Sequence, residues 1–320
     1  MLRLTGHKGD VRAVAFGPDG SLVSGGGDRT VRVWNPVTGE CRTTIKAGQV
    51  VYAVAVSPDG KTLAWAGRPT TGAVSSFVQL ADSTGKKTRK AEFVTFGVVA
   101  RWDAGSGTLR TEEEPMARTV WGLAFSADGK YLAAAVRKPG GANIPDGAGG
   151  CCWVMQDKAK SHALPGNDIY AVAFAPSGHA LAVTREQSVM FLERPEATEG
   201  VTYPLSTSWS AAVAFIPGAA LTVVASNSFL EFVNPIKREK PTRLKTGCRT
   251  IIALAASPDG KTVLAGGRPG AVEVYDSKSL KKLTEYDFKI GGVHALAFAP
   301  DGLTFAAAGD DGLVVCDATV

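Results

Sequence analysis

Reactive side chains are scarce in this chain of 320 residues, and they are not grouped. The four histidines, His7, His162, His179 and His294, form no HExxH motif and no i, i+4 pair, so familiar zinc-ligand spacings are missing. The five cysteines, Cys41, Cys151, Cys152, Cys248 and Cys316, include no CxxC and are odd in number, which points to reduced thiols and a reducing, cytoplasmic setting. No G-x-S-x-G nucleophile elbow occurs, and Gly85-Lys86-Lys87-Thr88 lacks the earlier glycine of a phosphate loop, so it reads as a hairpin turn. The N-terminal stretch has no apolar core of signal-peptide length, and no long uninterrupted apolar run exists to suggest a membrane span. Even Ala211 to Ser226 is broken by Pro217-Gly218 and predicts two buried strands joined by a turn. A net charge of +5, from 35 basic and 30 acidic residues, indicates a solubilising surface more than a dedicated polyanion binder.

What the chain does have is punctuation: 37 glycines and 17 prolines divide a sequence that is 45% apolar, which excludes long helices and favours short strands. Within Gly6 to Asn35, Val11 to Phe16, Leu22 to Ser24 and Val31 to Trp34 read as three strands separated by Pro18-Asp19-Gly20 and a glycine-rich turn at Asp28. The anchor VRAVAFGPDG returns as VYAVAVSPDG, VWGLAFSADG, IYAVAFAPSG, SAAVAFIPGA, IIALAASPDG and VHALAFAPDG, placing the turn residue at Pro18, Pro58, Ala127, Pro176, Pro217, Pro258 and Pro300. The intervals after Pro58 and Ala127 are long. Third strands ending at Trp102 and Gln156 locate both extra lengths between the second and third strands, as inserts at 68–96 and 138–150. The first insert predicts a β-hairpin, Ala73 to Leu80 and Ala91 to Phe96 around a basic turn; the second is glycine-rich. VQLADSTGK at 78–86 is an alternative third strand, but Val98 to Trp102 has the right distance to the next turn.

This pattern resembles the WD-repeat family: Gly6-His7, the V-x-x-V-x-F strand, the PDG turn, and Trp34-Asn35 or Trp102-Asp103 closing a third strand, with Tyr275-Asp276 and Cys316-Asp317 as weakened versions. The resemblance covers the whole chain and implies an all-β fold, a single domain over 1–320 built as a seven-bladed β-propeller of four-stranded antiparallel blades. The last unit stops after its third strand while Leu2 to Thr5 is left over at the start. The ring is therefore expected to close by the N-terminal strand pairing in the last blade. By the same resemblance His7, Ser24, Asp28 and Trp34 form a structural hydrogen-bond network and not a hydrolase triad. Only the first unit keeps all four, so the other blades are expected to rely more on packing.

Candidate binding residues stand where units depart from the pattern. The second residue of each first strand is Arg12, Tyr52, Trp121, Tyr170, Ala211, Ile252 and His294, with Trp209 nearby, and aromatics of this kind anchor interfaces. Arg68, Arg137, Arg185 and Arg268 recur at the end of second strands, where the first and last units carry Asp28 and Asp310, and arginine there can fork onto carboxylate or phosphate groups. The sequence thus predicts a non-enzymatic, monomeric interaction scaffold without cofactor or metal, binding a protein or peptide, acidic in character, on the propeller's top face. Two other readings stay open. One is a propeller enzyme such as a lactonase, with Asp10, Asp168 and His294 near the channel mouth; the other is nucleic-acid binding through the basic insert around Lys86 to Lys90.

Overall fold

The fold is taken from a computed structural model that describes residues 1–68, 119–137, 169–197, 199–207, 209–237 and 239–318, together with strand segments inside 80–114 and 151–164 that are described as backbone. Among the described residues there are seven four-stranded antiparallel sheets, each a blade, and one two-stranded ladder. Blade one is Val11–Phe16, Leu22–Gly26, Thr30–Trp34 and Cys41–Lys46 in simple up-and-down order. Blades three to six repeat that order without exchange of strands.

Blade two takes Gly97–Asp103 as its third strand, paired with Thr62–Arg68, and Leu109–Glu114 as its fourth. Leu80–Ala81 lies outside that blade and pairs with Lys87–Thr88. The rest of the expected hairpin and the 138–150 loop fall outside the described residues. Blade seven is completed from the other end of the chain: Leu2–Leu4 pairs with Gly312–Asp317 in the register Leu2↔Val315, Arg3↔Val314 and Leu4↔Leu313. The first strand of every blade packs on that of the next, and Val293–Phe298 of blade seven packs on Val11–Phe16, so the ring is closed.

Local chemistry explains the elements. The turn between first and second strands is held by a side-chain brace: Ser57 Oγ donates to Asp59 Oδ1 (2.6 Å), which also accepts the Lys61 N–H (3.1 Å), while Thr62 N donates back to Ser57 Oγ. The same brace recurs at Ser126-Asp128 and Ser257-Asp259. Such Asx-type bonding is why Asp and Gly recur at this turn. Second strands are buried on both faces and rich in Ala and Gly, because they lie sandwiched between neighbouring sheets. At Gly266, for instance, a Cβ would sit 2.7 Å from Val293 Cγ1 of the next blade. The apolar core is accordingly a series of inter-blade clusters, such as Val11, Leu22 and Trp34 of blade one with Leu4, Leu313 and Val315 of blade seven.

Candidate functional site

Strand register places the starts of the first and third strands and the ends of the second and fourth on one face: Val11 opposes Gly26, Gly25 opposes Val31, and Thr30 opposes Lys46. This top face carries the side chains singled out above. In blades one, two, three, five, six and seven the first-strand ladder slips by one residue, between Val11/Ala13, Val51/Ala53, Val120/Gly122, Ser210/Ala212, Ile251/Ala253 and Val293/Ala295. The skipped residues are Arg12, Tyr52, Trp121, Ala211, Ile252 and His294. Each is a β-bulge residue, freed from the ladder and turned out of the alternating pattern. Blade four does the same by another route, Tyr170 N–H donating to Thr184 O (3.2 Å) while Ala171 opposes the same threonine. The bulge presses the first strand against the second, and a Cβ on Gly67 or on its counterpart Gly267 would collide with the carbonyl oxygen of Val50 or Thr250.

Across blades one to three the bulged side chains meet. The Arg12 guanidinium lies over the Tyr52 ring at 4.8 Å, and Tyr52 stacks on Trp121 with centroids 4.8 Å apart and planes at 22°. Trp121 is 42% exposed. Asp10 pairs with Arg12, while Arg12 Nε and Arg185 Nε are buried with no hydrogen-bond partner among the described residues. Arg68 and Arg268 are exposed at the ends of their strands, Trp209 and Tyr170 are half-buried, and the side chain of Arg137 lies outside the described residues. His294 is not in the aromatic row; its Nε2 bonds Asp310 Oδ1 (2.7 Å), whose other oxygen accepts the Gly292 N–H (2.8 Å). Partial burial pulls the Asp310 carboxyl upward, but His294, Gly292 and the nearby Arg268 outweigh it and hold it below the usual range. Of the lactonase-type set, Asp10 and His294 are thus engaged with Arg12 and Asp310, and Asp168 lies outside the described residues.

The first-blade quartet forms one run of hydrogen bonds. Trp34 Nε1–H donates to Ser24 Oγ (2.8 Å), Ser24 Oγ lies 2.7 Å from His7 Nε2, and His7 Nδ1 lies 3.0 Å from Asp28. Asp28 also accepts from Lys8 N and Thr30 Oγ1. Ser24 is fully buried and both bonding directions of its hydroxyl are taken, so it presents no nucleophile to a substrate. Burial pushes the His7 imidazole below its usual range, with Asp28 opposing in part. The unfolded chain takes up that proton near pH 6.5 and the folded one resists it, so stability present above pH 6.5 drains away as pH falls below it. Melting curves from pH 7 to 5 are expected to fall more steeply for the wild type than for His7→Ala; parallel curves would remove His7 as the cause.

Other blades add polar ties of their own to that packing. Glu231, buried in the third strand of blade five, accepts the Ser206 N–H (3.0 Å). Glu273, its counterpart in blade six and 1% exposed, accepts from Gly247 N (3.1 Å), Tyr275 Oη (2.8 Å) and Lys282 Nζ (2.9 Å). Both carboxylates tie down the loop entering their blade's first strand, as Asp28 and Asp310 do in blades one and seven. The signal was present in FLEFV and AVEVY: one carboxylate inside an otherwise apolar strand is either paired or prohibitive. Nearby, burial first and then Glu273 push the Cys248 thiol up to about 11.

Comparison with known proteins agrees with this architecture. The family model described as WD domain, G-beta repeat matches residues 1–35 and 278–316, the two sides of the closure. The chain is 24% identical over 321 residues to the rat protein named ribosome biogenesis protein BOP1, covering 98% of this chain and 39% of that one. It is 28% identical over 322 residues to the BOP1 homolog of Chlamydomonas reinhardtii, covering 98% and 35%. A shorter match, 32% over 130 residues, covers 40% of this chain and 37% of the small ribosomal subunit protein RACK1 of Brassica napus. The chain thus spans less than two-fifths of the length of these relatives. Sevenfold anchor spacing, seven four-stranded sheets closed by the first strand, and these matches identify the chain as a divergent member of the WD-repeat family.

Proposed function

We propose that the chain is a non-enzymatic scaffold whose top face, over blades one to four, docks a protein partner of acidic character within a larger assembly. The observation that carries this reading is the bulge-aligned row Arg12–Tyr52–Trp121, which includes an exposed indole. A rigid aromatic row offers a large contact area at little entropic loss, and Arg68 and Arg268 stand exposed on the same rim to orient carboxylates. Two of the rim's aspartates are already engaged, Asp28 with His7 and Asp310 with His294, while Asp311 and Glu186 stay exposed beside the rim arginines. The relatives' names place them in ribosome formation and in the small ribosomal subunit, which supports membership in a ribonucleoprotein assembly.

A second reading draws on the same row, since a tyrosine–tryptophan stack beside arginines is also a platform for bases of single-stranded RNA. The experiment separates the two. Affinity capture with the wild type and with Trp121→Ala/Arg68→Glu should lose the main protein partner in the variant without a change in melting temperature. Undiminished capture overturns the top-face assignment. Binding of a single-stranded RNA that weakens steeply with salt, together with protein capture that disappears after nuclease treatment, favours the second reading.

A further inference from the structure

The opposite face carries a feature that the top-face reading leaves unused. At the seam between blades one and seven a cleft of about 770 Å³ is lined by Phe16, Pro18, Val37, Pro300 and Val315 among others. Two large apolar side chains that line it stand in water, Val37, 86% exposed, and Met1, 73% exposed; Leu303, 66% exposed, stands in the adjoining turn between the lining residues Asp301 and Thr304. Single exposed aliphatics are ordinary on a protein surface, but two from adjacent blades at one concave site are an apolar patch. Leu303 is moreover a departure from the repeat. The residue after the Pro-Asp-Gly-type turn is Ser21, Lys61, Lys130, His179, Ala220 and Lys261 in the other six units.

Charge around the cleft narrows the occupant. On the blade-one side Asp19 is held below the usual carboxylate range by Ser21 first, with Arg42 nearby adding to the effect, so that wall is balanced. On the blade-seven side Asp301 and Asp317 line the cleft, neither in an ion pair among the described residues, and these two carboxylates outnumber the one cation beside them, the Met1 ammonium. An apolar hollow with one anionic wall is complementary to an apolar side chain carried next to a cation, and repels an acidic peptide or a phosphate backbone. We propose that the seam cleft is a second docking site, independent of the top face, for a linear segment of a partner protein that carries an aliphatic or aromatic anchor beside lysine or arginine.

The test uses the intact chain and three short fluorescent peptides: a leucine flanked by arginines, the same leucine flanked by glutamates, and the arginines with serine in place of leucine. Fluorescence anisotropy should show saturable binding of the first and at least ~10-fold weaker binding of the other two. Asp301→Lys/Asp317→Lys should weaken the first peptide by ~10-fold or more and favour the glutamate-flanked one, while Trp121→Ala should leave both unchanged. Alkylation of Cys316, a free, half-buried thiol that lines the cleft, should be slowed by the first peptide only. Equal binding of all three peptides, or binding indifferent to Asp301 and Asp317, overturns the proposal. So does concentration-dependent self-association abolished by Leu303→Ser, which would make a second copy of the chain the occupant.

Discussion

Removing residues 1–6 is expected to lower the melting temperature by about 5–10 °C. Leu2–Leu4 is the outer strand of blade seven, and without it the Gly312–Asp317 edge is left unpaired. Leu4, 5% exposed, belongs to the cluster that joins blades seven and one, so its loss withdraws about 2–3 kcal/mol of apolar burial at the seam. Arg3 adds donors to the carbonyls of Phe288 (3.3 Å) and Lys289 (2.9 Å), which fasten the same strand to the end of blade six. With the lost ladder the sum is roughly 4 kcal/mol, and a chain of this size moves by about 2 °C per kcal/mol. Leu4→Ala isolates the packing part and should account for about half. A deletion variant that melts like the wild type would mean that the ring holds without its closing strand.

Glu273→Ala is expected to destabilise the chain by about 3–5 kcal/mol in urea titrations. The carboxylate is almost wholly buried and serves three donors, Gly247 N, Tyr275 Oη and Lys282 Nζ; alanine would leave the buried Tyr275 hydroxyl without a partner and release the loop at the exposed Gly247. Lys282 is partly exposed and can turn to Glu285, so it suffers least. Glu273→Gln keeps an acceptor of nearly the same shape and should lose about 1–2 kcal/mol. If Gln and Ala are equally destabilising, the charge and not the geometry of the acceptor holds the loop. If both are neutral, the buried carboxylate plays no part in stability. A double change to apolar residues at Glu273 and Lys282 should recover part of the loss, since buried ion pairs can be replaced by packing more easily than halved.

The fold was legible because its information is local. Strand period, a Pro-Asp-Gly turn and a Gly-His start are each complete within a few residues, and the repeat multiplies them seven times. The third strand of blade two could be placed at Gly97–Asp103 only by counting to the next turn, since 78–86 carries the same local pattern. The first-blade network was legible through the family pattern. Glu231 and Glu273 were not, because they stand where the first blade carries Arg32, a third-strand position outside its quartet.

The rim residues were legible as a column of seven positions but not as a surface. Their common property, a β-bulge, arises when a first strand must curve around the channel while staying paired to a second strand whose Gly67 or Gly267 lets the backbones approach. Nothing local in Tyr52 says that it stacks on Trp121 rather than packing into a blade, for the two are 69 positions apart and meet only because blades two and three are adjacent. Likewise Val37 and Val315 are near opposite ends of the chain and line one cleft because the ring closes between them. The sequence by itself determined the strands, their turns, the count of seven and the closing strand, all of which depend on short-range patterning. Tertiary structure alone decided which side chains become neighbours across blades, because those contacts are set by ring curvature and closure, to which residues some 40 positions apart or more contribute without any local sign.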